Sequence, residues 1–267
     1  MRRRAVIGGL LGAAMLLCEK GGRAQSVPAD VTSSLAPTGR LRVAINHGNA
    51  VLAHRDPDTG KLSGISVDIA EELGRRLGVP LTLVPFDGAG KVSAAATSDI
   101  WDVAFLARDP ERARGISFTA PYVVINGNYV VPKDSPLTAP DQVDREGVRV
   151  AVSRQSAYDL FLTRALKQAK ILRASGTIGA VELFRSERLD AVAGVKQALQ
   201  QLTSGDPALR MILQPFMEID QAMGTPTGRT AGAVFLNAFV EGIKSSGFVK
   251  QVLERNGQAD AAVAPPG

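Results

Sequence analysis

Residues 112–122, Arg-Ala-Arg-Gly-Ile-Ser-Phe-Thr-Ala-Pro-Tyr, set Arg112 six positions ahead of Phe118 in a Phe-Thr-x-Pro-Tyr run. A guanidinium is charged at any physiological pH and offers paired donors that match a carboxylate. Arg112 therefore has the chemistry to hold a carboxylate. Arg108 and Arg114 beside it read as surface arginines. Other chemistries find few groups here. His47 and His54 are the only histidines, and no acidic cluster accompanies either, so no metal site is expected. Cys18 is the only cysteine, and neither a Gly-x-Ser-x-Gly elbow nor a Gly-x-x-x-x-Gly-Lys-(Ser/Thr) phosphate loop occurs. No cofactor is expected.

The elements that must position Arg112 alternate between strand and helix. Leu41 to Ile45 alternates between glycines and reads as a first strand. From Val67 to Leu77, Ile69, Ala70, Leu73 and Leu77 fall on one helical face, and Gly78 supplies a stop. Pro80 to Val84 and Asp102 to Leu106 read as further strands. The pattern then returns. Val148 to Val152 is a strand, Ser156-Ala157-Tyr158-Asp159 has the Ser-x-x-Asp form of a helix start, and Asp190 to Gly194 is a strand. Such alternation indicates a mostly parallel α/β sheet. Pro132 to Pro136 suits a crossover between the units. Helices at Ala233 to Lys244 and Phe248 to Glu254 carry Phe235, Phe239, Ile243 and Val252 on their apolar sides. The tail 258–267 lacks apolar periodicity and is expected to be mobile.

The first 24 residues read as a signal peptide: Arg2, Arg3 and Arg4, then an apolar run from Ala5 to Leu17, then Gly22-Arg23-Ala24. Cys18 invites a lipoprotein reading, but Leu17 stands where a small residue is required. The segment holds five basic residues against Glu19, and so carries four of the chain's five net positive charges. What remains is nearly neutral and poor in aromatic residues, which argues against nucleic-acid binding. Periplasmic export follows, as a protein without disulfides.

Residues 58–73, Asp-Thr-Gly-Lys-Leu-Ser-Gly-Ile-Ser-Val-Asp-Ile-Ala-Glu-Glu-Leu, form a glycine-punctuated turn running into a helix. Together with Arg112 to Tyr122 they resemble the family 3 bacterial extracellular solute-binding proteins, the polar amino-acid receptors of ABC importers. The resemblance runs from about Gly39 to about Gly257. It implies a two-lobed α/β fold of the type II periplasmic-binding-protein kind, with two interlobe crossovers near Tyr129 to Lys133 and Gln214 to Asp220. Lobe 1 would comprise residues 36–130 plus 220–257, and lobe 2 residues 131–219. The implied partners are a small carboxylate ligand in the interlobe cleft and an ABC permease in the inner membrane, with the receptor a monomer.

The same resemblance assigns site roles. Arg112 grips the ligand carboxylate, helped by backbone N–H groups near Ala107. Asp109 stands in place of a threonine and reads as a cap for the helix at Pro110. Ser156, with the N–H groups of Ala157 and Tyr158, forms the second lobe's grip, or caps its helix, or does both. Gln155 replaces the usual glycine there. Val195 occupies the position of the acid that would meet a ligand amine, and Lys196 follows it. If Lys196 enters the cleft, the ligand carries a second anionic group; otherwise it is a solvent-facing lysine. Asn46 and Asn49 are suited to hydrogen bonding, and Phe86 or Phe105 to walling the cleft. Trp101 and Tyr122 read as core, and Asn126 and Asn128 as backbone partners. The rival is a cyclohexadienyl or arogenate dehydratase on the same fold. Its general acid would have to be Asp87 or Asp159, which helix capping also explains.

Overall fold

A computed structural model describes residues 27–267; the expected signal peptide, with Cys18, lies outside them. The chain runs through α1 (Ala29–Leu35), β1 (Leu41–Asn46), a small hairpin of β2 (His54–Arg55) and β3 (Leu62–Ser63), α2 (Ile65–Leu77), β4 (Leu81–Phe86), α3 (Ala89–Ala94) and β5 (Val103–Ala107). A 3₁₀ turn at Arg112–Arg114 leads into β6 (Ile116–Pro132). The second unit contains β7 (Arg149–Ser153), α4 (Ala157–Ala165), β8 (Lys170–Ala174), α5 (Gly176–Ser186), β9 (Ala191–Val195) and α6 (Lys196–Thr203). The chain returns along β10 (Leu209–Pro226) and ends with α7 (Thr230–Ser245), α8 (Phe248–Arg255) and β11 (Ala262–Val263).

Helix α2 shows why these residues choose these elements. Ile69, Ala70, Leu73 and Leu77 are all buried on one face. Gly78 ends the helix in the left-handed region at φ 67°, where its N–H reaches the Gly74 carbonyl. Arg75 and Arg76 in the last turn bind Glu72 at 2.8 and 2.7 Å and hold its carboxyl down at about 2. The hydrogen bonds from Arg75 lead that effect.

In the first lobe β1 lies between β4 and β5, all parallel; in the second β7 lies between β8 and β9, also parallel. Strands β6 and β10 join the two. They pair antiparallel along most of their 17 and 18 residues and give the sheet order β4-β1-β5-β10-β6-β9-β7-β8. On β10, Gln221 to Gly224 pair with β5 of the first lobe; on β6, Gly127 to Val130 pair with β9 of the second. The first crossing therefore comes a few residues before the expected boundary at 130. The β10 register slips between Ile212 and Met217, and Asn128 spans the slip by donating to the carbonyls of Ile212 and Leu213 at 2.9 and 3.1 Å.

The tail corrects a second expectation. Instead of being mobile, it docks as β11 on Val123 and Val124 of β6, with Ala261 and Ala264 buried. The Ala264 N–H bonds the Tyr122 carbonyl at 3.1 Å, and Lys244 holds the Pro265 carbonyl at 2.7 Å. Strand addition uses main-chain groups that any sequence carries, so apolar periodicity gives no warning of it.

Candidate functional site

Parallel strands in both lobes point their C-terminal ends at one cleft, the usual site for ligands in open α/β sheets. Its cavity measures about 190 Å³. From the first lobe come the turn after β1, the Asp87–Lys91 turn after β4, and the end of β5 with Arg112. From the second come the Ser153–Tyr158 turn, the Ser175–Thr177 turn after β8, and Val195 and Ala198 at the end of β9 and the start of α6.

Arg112 is only 5% exposed. Its Nη1 donates to the Ala107 carbonyl at 3.0 Å, and its Nη2 crosses to the Gln155 carbonyl of the other lobe at 2.9 Å. Its Nε is buried and has no partner among the described residues. Burial lowers its pKa to about 10, against the opposing pull of Asp109 and Glu111, so it stays charged at neutral pH. A buried cation with an unused N–H is best satisfied by an anionic acceptor.

Across the cleft, Ser156 is the N-cap of α4, and its Oγ accepts from the Asp159 N–H at 3.0 Å. It caps the helix and lines the cleft with Ala157, so the two roles proposed from sequence are compatible in geometry. Gln155 keeps the left-handed backbone that a glycine would adopt, at φ 56°. Its N–H bonds Asp159 at 2.8 Å, and its side chain lies against Gly90 of the first lobe. A Cβ on Gly90 would come within 2.5 Å of the Gln155 Cβ, so only a bare backbone fits at that position.

Of the residues proposed from sequence as ligand contacts, Arg112, Ser156, Ala157, Asn46, Asn49 and Ala107 line this cleft, together with Asp87, Phe105, Gln155, Tyr158 and Val195, which the sequence also drew attention to. Asn46 and Asn49 also brace their own turn, accepting from the N–H groups of Gly48 and Val51 at 3.1 and 3.3 Å. Ala107 contributes its carbonyl to Arg112. Lys196 and Phe86 are not brought to the cleft. Lys196 opens α6 beside the lining residues Val195 and Ala198, while Phe86 packs with Trp101 and Val92 in a satellite core. Phe105 is the aromatic wall instead, edge-on to buried Tyr122 at 5.7 Å between centroids.

Sequence reasoning missed the glycine-bearing turns that run into α3 and α5, Gly88–Lys91 beyond Asp87 and Ser175–Thr177, and also Arg154, Ser66 and Gln221. Both turns follow directly on the second strand of their lobe, a strand–glycine–helix pattern that could have drawn attention to them. Asp87 is tied to Lys91 at 2.7 Å, and that bond lowers its pKa. Asp159 is buried, bonded to Arg173 at 2.9 Å, and lies outside the cleft lining. Among the described lining residues the charges are therefore Lys91, Arg112 and Arg154 against Asp87. Among the described residues no cluster of His, Cys, Asp and Glu could hold a metal, and no helix is long and apolar enough to cross a membrane.

Residues 41–259 match the bacterial extracellular solute-binding proteins, family 3. The glutamine-binding protein of Geobacillus stearothermophilus is 19% identical over 211 residues, covering 75% of this chain and 78% of that protein. The L-cystine-binding protein TcyJ of Escherichia coli (strain K12) is 26% identical over 137 residues, and the match spans 51% of each chain. Among solved structures, the ancestral amino acid-binding protein AncCDT-1, a precursor of cyclohexadienyl dehydratase, superposes with a TM-score of 0.69 at 21% identity. That match covers 84% of this chain and 97% of the other.

Proposed function

The chain belongs to the bacterial extracellular solute-binding proteins of family 3, and from that premise we propose that it is a periplasmic receptor delivering a small carboxylate to an ABC permease. Arg112 is the observation that carries this reading. It is a buried guanidinium at the junction of two lobes, whose Nε has no partner among the described residues. The cationic balance of the cleft supports an anionic ligand, and the helix start at Ser156 and Ala157 supports a second grip on the same group. The relatives named for glutamine and L-cystine support an amino acid. Against a dominant ammonium contact stands Asp87, the one acid among the described lining residues, which Lys91 already neutralises. The ligand's carboxylate is therefore the group the cleft selects first, in an amino acid or a related organic acid. The receptor works as a monomer, exported by its N-terminal segment.

A thermal-shift screen of amino acids and dicarboxylates, followed by calorimetry, tests this, because a ligand bound only to the native state raises the melting temperature. Arg112→Ala should weaken the best ligand by about 2–5 kcal/mol, a factor of tens to thousands. Unchanged affinity in that variant would remove the carboxylate grip. Incubation with prephenate or arogenate should yield no aromatic product; turnover would make the protein a dehydratase.

A further inference from the structure

The lobes also meet outside the cleft lining, through an ion pair that uses only protein groups. Asp109 lies in the turn between β5 and the 3₁₀ turn that carries Arg112, and it is 7% exposed. One carboxylate oxygen takes the Glu111 N–H at 2.9 Å; the helix it was expected to cap at Pro110 is instead a 3₁₀ turn over Arg112–Arg114 with Glu111 at its start. The other takes Nη2 of Arg164, in the last turn of α4 on the opposite lobe, at 2.6 Å. Its main-chain carbonyl accepts the Ala113 N–H at 2.9 Å, so Asp109 ties down the backbone on either side of Arg112. Helix α4 therefore grips the Arg112 segment at both ends. Its entry does so through the Gln155 carbonyl on the Arg112 guanidinium, and its last turn through Arg164 on Asp109.

The two grips differ in what they cost a ligand. A carboxylate at Arg112 competes for the same guanidinium that Gln155 holds. The Asp109–Arg164 pair asks nothing of the ligand, since neither side chain lines the cleft. Opening the lobes would give up a short charge-assisted bond between Arg164 and a carboxylate that is 4% exposed while the lobes meet. We propose that Asp109 and Arg164 form a closing contact built into the receptor, which biases the lobes toward meeting and positions Arg112 for its ligand. This rests on the receptor reading of the cleft, but its test needs no ligand. A protein whose competent form is only partly populated binds more weakly by that fraction, so the pair sets apparent affinity without touching the solute.

The experiment is small-angle scattering on the ligand-free full-length protein. Arg164→Met keeps the aliphatic stem and removes the charge. Asp109→Asn keeps the oxygen that takes the Glu111 N–H and removes the charge from the other side. Each single variant should raise the radius of gyration above the roughly 18 Å of a compact chain of this size. Arg164→Lys, which preserves the charge, should restore it. The double variant should expand no further than either single one, because both remove the same contact. Melting temperatures should shift little, since each lobe keeps its own core. Compact single variants, or expansions that add in the double variant, would overturn the proposal. Failure of every carboxylate to bind would count against the receptor reading alone.

Discussion

In the first lobe, Asp102 accepts the Arg42 N–H at 3.0 Å and its Nε at 2.9 Å, and the same guanidinium donates to the carbonyl of Asp99, a residue at φ 50°. In the second lobe, Asp190 accepts the Arg149 N–H at 2.8 Å and its Nε at 3.4 Å, and that guanidinium donates to the carbonyl of Arg188, at φ 46°. Each arginine lies near the start of its lobe's first parallel strand, and each aspartate immediately precedes the third parallel strand. The device is the same, but its surroundings are not. The Asp102 side chain is fully buried and takes a second cation, Arg229, at 2.6 Å; the Asp190 side chain is 41% exposed. Arg229 precedes α7, the helix that follows the chain's return to the first lobe along β10. The returning segment thus covers one copy of the motif and leaves the other at the surface. Identical hydrogen bonds should then differ severalfold in what they contribute.

Removing the two carboxylates is the sharpest test of that difference. Asp102→Ala strands Arg42 and Arg229 beside a buried gap, and breaking a buried pair in this way costs about 3–5 kcal/mol. Asp190→Ala removes a half-exposed partner and should cost about 1 kcal/mol. Urea unfolding of both variants measures it. Equal losses would mean that the motif's local geometry, and not its burial, sets its worth.

Acid should act on the same asymmetry with a smaller amplitude. Burial works to raise the Asp102 pKa, but the hydrogen bonds from Arg42 and Arg229 outweigh it and hold the carboxyl below its ordinary value. A carboxyl lowered on folding stabilises the native state fully above its unfolded pKa of about 3.9, and that stabilisation is lost as pH falls through the folded value. Stability should therefore drop below about pH 4 in the native protein. In Asp102→Asn the drop should be shallower, so the gap between the two curves narrows toward low pH. A constant gap from neutral pH to acid would break the link between this carboxylate and acid sensitivity.

The duplicated motif was within reach of the sequence, where Leu41-Arg42-Val43-Ala44 and Val148-Arg149-Val150-Ala151 can be laid side by side. The alternation of strands and helices showed clearly enough to indicate the fold class. The third strand of each lobe begins one residue later than expected, because Asp102 and Asp190 turn back onto an arginine instead of joining the ladder. The long strands β6 and β10 were hidden. Pro121 and Gly127 interrupt one and Pro215 the other, and their pairing joins residues about a hundred positions apart. Side-chain direction set the site errors. Phe86 ends its strand facing Trp101, and Lys196 opens a helix whose residues Val195 and Ala198 take the cleft side. The cleft position of Arg112 was legible through the family resemblance that its spacing to Phe118 carried; the glycine turns were not, since they offer main chain instead of a chemical group.

The smallest effect concerns the entries to the two cleft-facing helices. The first lobe enters α2 through Gly64, at φ 118°, whereas the second enters α4 through Gln155, at φ 56°, followed by its Ser156 cap. Left-handed backbone costs a non-glycine residue roughly 1–2 kcal/mol, and glycine gives back part of that through the greater freedom of its unfolded chain. Gln155→Gly should therefore come out more stable than Gln155→Ala by about 1 kcal/mol, since alanine keeps the strain and loses the same side chain. Both variants keep the main-chain bonds to Asp159 and Arg112, so the difference between them isolates the backbone term. Both also lose the Gln155 amide from beside Gly90, although alanine keeps the Cβ that lies there, and calorimetry with the ligand from the screen should show both weakened. If Gly and Ala variants unfold at the same urea concentration, Gln155 is not strained and the two helix entries are energetically alike. If the Gly variant alone binds more weakly, the strained backbone of Gln155 itself holds its carbonyl in place for Arg112.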